Sequence, residues 1–201
     1  DVLGSRGLGD VYKRQKMDYR NSKEVDLDII YKKVIKNLFD SLTEYELIRA
    51  DEISGSEIID VSMYSLLLKA DLVIADITTM NENAIYELGI RHASKPFSTI
   101  IMMQESEKIP FDLNHCRILT YKDFGEVLDD EEAEKIKTNL HSFIKASEEQ
   151  NIDSPLYTYL PNIVPPNISD RELDELLDTA KTKEETCLLY TSDAADEARS
   201  V

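Results

Sequence analysis

The sequence predicts an α/β domain in which helices cover the faces of a parallel sheet. Three observations carry that expectation. Short apolar runs rich in β-branched residues, at 72–75 and 98–103, read as strands buried on both faces. Stripes of apolar residues at helical spacing lie between these runs. Strand and helix alternate along the chain, which calls for crossover connections and hence parallel pairing.

Each element has its own signal. Over residues 25–42, Leu27, Ile30, Val34, Leu38 and Leu42 recur at helical spacing, and Ile35 and Phe39 widen the stripe. Residues 45–50 form a short strand that ends at Asp51. Ser54-Gly55-Ser56 marks a turn and a helix start. Ile58, Ile59, Met63, Leu66 and Leu67 carry that helix to Lys69. After the strand at 72–75, a helix runs from about 83 to 94, and Pro96 closes the unit. The strand at 98–103 follows, then a loop at 109–112 and a last strand at 117–121. Ala133, Ile136, Leu140, Phe143 and Ile144 define a long helix. Beyond Gln150 the pattern changes. Residues 154–157 and the Pro165-Pro166 pair read as an extended arm over the surface, and 168–182 as a short acidic helix.

A chain that opens with a helix feeding a strand implies an earlier strand. In flavodoxin-like sheets of order 2-1-3-4-5 that strand is central. Its place in the sequence is taken by something else. Residues 10–15 read DVYKRQ, which GAT GTG TAT AAG AGA CAG encodes; the reverse complement, shifted by one base, encodes CLLYT and begins a serine codon. Residues 187–192 read CLLYTS. Antisense ends are expected from the transposon-end adapter of a sequencing library, translated at both ends of one DNA fragment. Residues 5–15 and 187–197 fit that adapter with its primer tails. The expected organisation is therefore translated adapter at 1–15 and 187–201, an N-terminally truncated α/β domain at 16–150, and an arm with a short helix at 151–186. The first central strand is expected to be missing from a flavodoxin-like, Rossmannoid sheet.

The formal net charge is −17. Without the four basic and five acidic residues of the two ends it is still about −16, so the acidity belongs to the domain. It disfavours nucleic acid and anionic membrane as partners; solubility is its plainest role. Of the two cysteines, Cys187 falls in the adapter, leaving Cys116. That excludes an internal disulfide and suggests a reducing, cytoplasmic setting. No apolar run has membrane-spanning length. His115 and Cys116 are adjacent, but a lone pair is no metal site. Neither a Walker-type phosphate loop nor a nucleophile triad is present.

Function points to residues 70–96, ADLVIADITTMNENAIYELGIRHASKP. Asp76 stands where the strand should end, and Glu87 lies in the first turns of the next helix. Ligands of open α/β sheets bind beside the carboxyl ends of strands. Thr78, Thr79, Asn81 and Asn83 are loop and cap types, and one of the two asparagines is expected to be the N-cap. Acidic residues near a helix start also serve as caps and dipole partners, the ordinary alternative for Glu87. Arg91 is expected in a surface ion pair, with a phosphate contact as its alternative. His92 is expected to pack inward as a satisfied core histidine.

The segments ADLVIADIT and NENAIYELGIRHA, then KP and an apolar strand, resemble the nucleoside 2-deoxyribosyltransferase-like superfamily. More closely, IRADE, YELGIRHA, PFSTI, IPFDL and DSPLY together look like bacterial modules of the TRAF-binding-region type. A diverged form of that region precedes the kinase domain of apoptosis signal-regulating kinases. The resemblance covers about residues 16–168. It implies a pocket for a nucleoside or nucleotide, lined in part by the missing first strand. It implies that Glu87 attacks the anomeric carbon, which needs an ionised carboxylate beside an oxocarbenium-like centre. Asp76 would hold a ribose hydroxyl or base edge. Thr78, Asn81, Asn83, Tyr86 and Asp51 would complete the substrate contacts, with Tyr86 stacking or closing the pocket. Asn83-Ala84 stands where transferases carry a Gly-Thr-like pair. Hydrolysis of an N-glycosidic bond, or binding without turnover, therefore fits as well as deoxyribosyl transfer. No cofactor is expected, NAD or a nucleotide entering as substrate or ligand. The alternative function is a non-catalytic nucleotide-sensing or protein-docking module of a larger signalling or defence protein, with a fused or partner signalling domain.

Overall fold

The structure, a computed structural model, describes residues 6–10, 17–18, 23–49, 64, 67–125, 127–167, 169, 171–172 and 175. Its described strands are β1 (Arg6–Asp10), β2 (Met17–Asp18), β3 (Lys23–Glu24), β4 (Tyr45–Arg49), β5 (Leu72–Asp76), β6 (Thr99–Gln104) and β7 (Ile118–Tyr121). Five of them form one sheet in the order β4-β1-β5-β6-β7. Every pairing in it is parallel. The short strands β2 and β3 pair with each other, antiparallel. The α/β, Rossmann-like architecture read from the alternation of elements is the one observed.

The expected gap at the centre of the sheet is filled. Arg6–Asp10 runs between β4 and β5, with Arg6 opposite Tyr45 and Leu8 opposite both Leu47 and Leu72. Both neighbouring edges carry backbone N–H and C=O groups that must find partners, and a main-chain ladder depends on no particular side chain. RGLGD, with two glycines and no β-branched residue, carries no strand signal of its own. The segment read from its codons as adapter is thus the one that closes the sheet.

Helix α1 covers residues 27–39. It begins as α-helix at Leu27–Ile30, widens into a π-helix at Tyr31–Lys36 and ends as α-helix at Asn37–Phe39. Its start is fixed by Asp26, whose carboxylate accepts from the Asp28 N–H at 3.0 Å. The expected stripe is buried from Leu27 to Phe39, with Tyr31 joining it, while Leu42 lies past the helix end and is half-buried. Helix α2 is Glu82–Ser94 and α3 is Asp130–Ser147. Asp129 caps α3 by accepting from the Glu132 N–H at 2.8 Å, and three acidic residues fill its first turn, where the helix dipole favours them.

The sheet has two covered faces. On one, Leu72, Ile74, Ile100, Met102, Leu119 and Tyr121 pack with α1 and with Ala133, Ile136, Leu140 and Ile144 of α3. On the other, Ala75, Ile77, Ile101 and Met103 pack with Leu88 of α2. Alternate residues of β5 and β6 thus serve opposite cores, the reason both strands read as unbroken apolar runs.

Two further expectations, for the arm and for Arg91, need correction. Pro155–Tyr159 is a short helix, α4, and not extended arm. Proline suits the first helical position, where its missing N–H costs nothing. The Ser154 and Tyr157 hydroxyls donate to the carbonyls of His92 and Ala93, each at 2.7 Å. They satisfy acceptors that the end of α2 leaves open. Arg91 is in no surface ion pair, as its contacts below show. The helix expected after Ser54 lies outside the described residues except at 64 and 67–69, which are helical. Of the acidic helix expected at 168–182, residues 171–172 and 175 are helical and 169 is not, and the rest lies outside the described residues.

Candidate functional site

Strand β5 delivers Asp76 to the carboxyl end of the sheet. Because side chains alternate, Asp76 shares a face with Leu72 and Ile74 and points to the α1–α3 side. It is buried there in a closed set of hydrogen bonds. Its Oδ1 accepts from the Thr78 N–H at 2.9 Å and the Thr78 hydroxyl at 2.6 Å, the first being an Asx-type turn that bends the chain out of the strand. Its Oδ2 accepts from the Tyr121 hydroxyl at 2.6 Å. The Thr78 and Tyr121 hydroxyls are themselves 2.9 Å apart, and Thr78 Oγ1 also accepts from the Gln104 N–H at 3.1 Å.

Three oxygen–oxygen contacts thus join Asp76, Thr78 and Tyr121. Burial raises the Asp76 pKa, opposed by the bonds from Thr78 and Tyr121. Burial, and next the neighbouring Asp76 charge, hold the Tyr121 pKa well above its ordinary value.

Neighbouring strands add polar groups at the same level. Arg49, the last residue of β4, forms a buried ion pair with Asp28 in the first turn of α1 at 2.6 Å. Its guanidinium lies 4.3 Å over the Tyr31 ring. Gln104 ends β6 and is 2 % exposed, and among the described residues its Oε1 has no hydrogen-bond partner. The carboxyl ends of β4, β5, β6 and β7 therefore present Arg49, Asp76, Gln104 and Tyr121.

Glu87 lies on α2. It is buried on the inner face of α2 with Ala84, Leu88, Arg91 and His92. That helix packs through Leu88 on Ala75 and Ile77, the face opposite to the one Asp76 serves. Asp76 and the helix that carries Glu87 therefore lie on opposite faces of the sheet. Asn81 is the N-cap of α2, its Oδ1 accepting from the Ala84 N–H at 2.9 Å. Thr78 and Thr79 are buried, Asn83 is exposed and Tyr86 is 64 % exposed. Asp51 lies outside the described residues.

The residues that follow Glu87 serve the fold. Arg91 is fully buried, and its Nη1 donates to the carbonyls of Leu67 and Ala70 at 2.8 Å each. Nη2 donates to the Ser98 carbonyl at 3.0 Å and Nε to the Thr99 hydroxyl at 3.4 Å. The guanidinium ties the chain entering β5 to the start of β6. Burial lowers its pKa to about 10. His92 does pack inward but is not satisfied: its buried Nε2 has no hydrogen-bond partner among the described residues. Burial, helped by Arg91, pushes it down to about 4 and keeps it neutral.

Among the described residues no helix is long and apolar enough to cross a membrane. No family model matches the chain, and no curated protein matches it. Among solved structures it is similar to the lysine decarboxylase LdcF of Francisella novicida, at 15% identity and a TM-score of 0.42. The match covers 83% of this chain and 21% of that one. At that distance it carries no argument about function.

Proposed function

We propose that the carboxyl end of the sheet binds a nucleoside or nucleotide and that Glu87 acts on its N-glycosidic bond. The observation that carries this reading is the set of buried polar groups at the ends of β4, β5, β6 and β7, with Gln104 Oε1 lacking a donor among the described residues. Buried polar groups cost stability unless hydrogen-bonded, and the exceptions call for an explanation. Strand ends of an open α/β sheet are where such sheets take ligands. A ligand lying across the ends of β5 and β6 meets Gln104 from one face and the first turns of α2 from the other.

In this reading Asp76 is a positioning residue. Both its oxygens are engaged by Thr78 and Tyr121, so it shapes the strand end and does not hold the sugar. Asn81 is the cap, which leaves Asn83 and Tyr86, both exposed, as groups free to close over a ligand. The Glu87 carboxylate bonds to the anomeric carbon as the base departs with the glycosidic electron pair and takes up a proton. Water then hydrolyses the ester, giving the free sugar and restoring the carboxylate.

The test incubates the chain with nucleoside monophosphates and NAD and follows released base. Glu87→Gln should lower the release at least about a hundredfold while leaving nucleotide affinity in place. Equal release from both proteins removes Glu87 from the chemistry. A second reading, binding without turnover in a sensing or docking module, is favoured by the C-terminal arm. There Tyr159, Leu160 and Val164 are 57 %, 50 % and 82 % exposed, apolar surface suited to a fused or partner domain. Nucleotide binding with no base release from the wild type would select it.

A further inference from the structure

A cleft of mixed polar and apolar lining lies at the opposite end of the sheet. It has a volume of about 170 Å³ and opens between the starts of β6 and β7, the last turns of α3 and the loop into α4. One side group there is anchored but incompletely used. Asp153 Oδ2 accepts from the Thr99 N–H at 2.8 Å, whereas its Oδ1 is buried and has no hydrogen-bond partner among the described residues. Arg117 lines the same cleft, its guanidinium stacked 3.9 Å over the Phe143 ring, and it has no ion-pair partner among the described residues. One fixed negative and one fixed positive group thus share a small cleft whose other walls include Ile100 and Phe143.

We propose that this cleft binds a small zwitterionic amino acid, the ammonium on Asp153 Oδ1 and the carboxylate on Arg117. Three considerations choose that class. A carboxylate oxygen that is buried without a donor is matched by N–H donors, best of all charged ones. The buried Arg91 already faces the Asp153 charge, but no described donor reaches Oδ1; a zwitterion supplies that donor and an anion for Arg117 together. The volume sets the size: a cavity of roughly 150 Å³ holds benzene, so about six to ten non-hydrogen atoms fit, the range from alanine to leucine. The aliphatic side chain then rests on Ile100 and Phe143. Cys116 lines the same cleft, and burial pushes its thiol up to about 11, so it stays protonated and takes no part as a nucleophile. The site is separate from the strand-end site, and either can fail alone.

Calorimetric titration of the full chain with L-alanine, L-valine, ethylamine and propionate tests it. The amino acids should bind saturably, and ethylamine and propionate each at least about tenfold more weakly. Asp153→Asn keeps an acceptor for the Thr99 N–H and should remain folded, yet lose amino-acid binding at least about tenfold. Arg117→Ala removes an exposed side chain and should cause a similar loss. Absence of saturable heat with both amino acids overturns the proposal. So does ethylamine binding as tightly as L-alanine, or unchanged affinity in a folded Asp153→Asn or Arg117→Ala protein.

Discussion

Tyr121→Phe is the sharpest probe of the strand-end network. The substitution keeps the ring that packs against Phe124 at 6.2 Å and removes one hydroxyl. That hydroxyl donates to Asp76 Oδ2 and touches Thr78 Oγ1. Leaving a buried acceptor without its donor costs about 1–3 kcal/mol. The loss should also depend on pH, with a sign fixed by Asp76. Its folded pKa is raised above the unfolded value of 3.8, and the Tyr121 bond is one of the contacts that hold the rise down. A carboxyl raised in the folded state contributes stability that is fully present below its unfolded pKa and is lost as pH rises through the folded one. Removing the hydroxyl raises the folded pKa further and deepens that loss. Urea unfolding should therefore show a deficit of about 1 kcal/mol near pH 4, growing to about 2–3 kcal/mol near pH 8, with an unchanged slope. A deficit that is absent, or that shrinks as pH rises, would refute the network.

Two further predictions concern the groups behind Glu87. Arg91→Met keeps much of the volume but strips the donors from the Leu67, Ala70 and Ser98 carbonyls; it should cost about 3–5 kcal/mol by chemical unfolding, and a loss under about 1 kcal/mol would contradict the clamp. His92, ordinarily near 6.5, is held down to about 4 in the fold, so its stability contribution is present above pH 6.5 and is lost as pH falls through 4; His92→Leu should flatten the acid limb of the stability curve, and an unchanged limb counts against a buried neutral imidazole.

Local pattern carried most of the architecture. The runs of β5 and β6, the stripe of α1 and the loop into α2 are all signals within about ten residues of each other, and each element lies where its period placed it. The parts that stayed hidden depend on contacts distant in sequence. Tyr121 lies 45 residues from the Asp76 it serves, and nothing around YKDF marks it as a donor. Arg91 shows the same limit, because an arginine on a helix reads as exposed unless the carbonyls that surround it are known. Those carbonyls belong to two other segments. The pairing of Asp76 with Glu87 was legible as sequence proximity, but a helix that packs on one face of the sheet and a strand residue that points to the other separate what the sequence puts side by side. β1 is the limiting case: its place is dictated by two unsatisfied strand edges and not by its residues. In α1, the π-helical turn leaves the apolar stripe intact, so periodicity alone could not reveal it.

Where a nucleotide binds decides between these readings. Titrating AMP and NAD into isotopically labelled chain, with backbone amide shifts followed by NMR, locates the site without presuming catalysis. A strand-end nucleotide site gives saturable shifts at Thr78, Thr79, Asn83, Glu87 and Gln104, around β5, β6 and α2, with Thr99, Arg117 and Asp153 at the far end of the sheet unmoved. Shifts confined to that far end, or none up to saturating nucleotide, would contradict it.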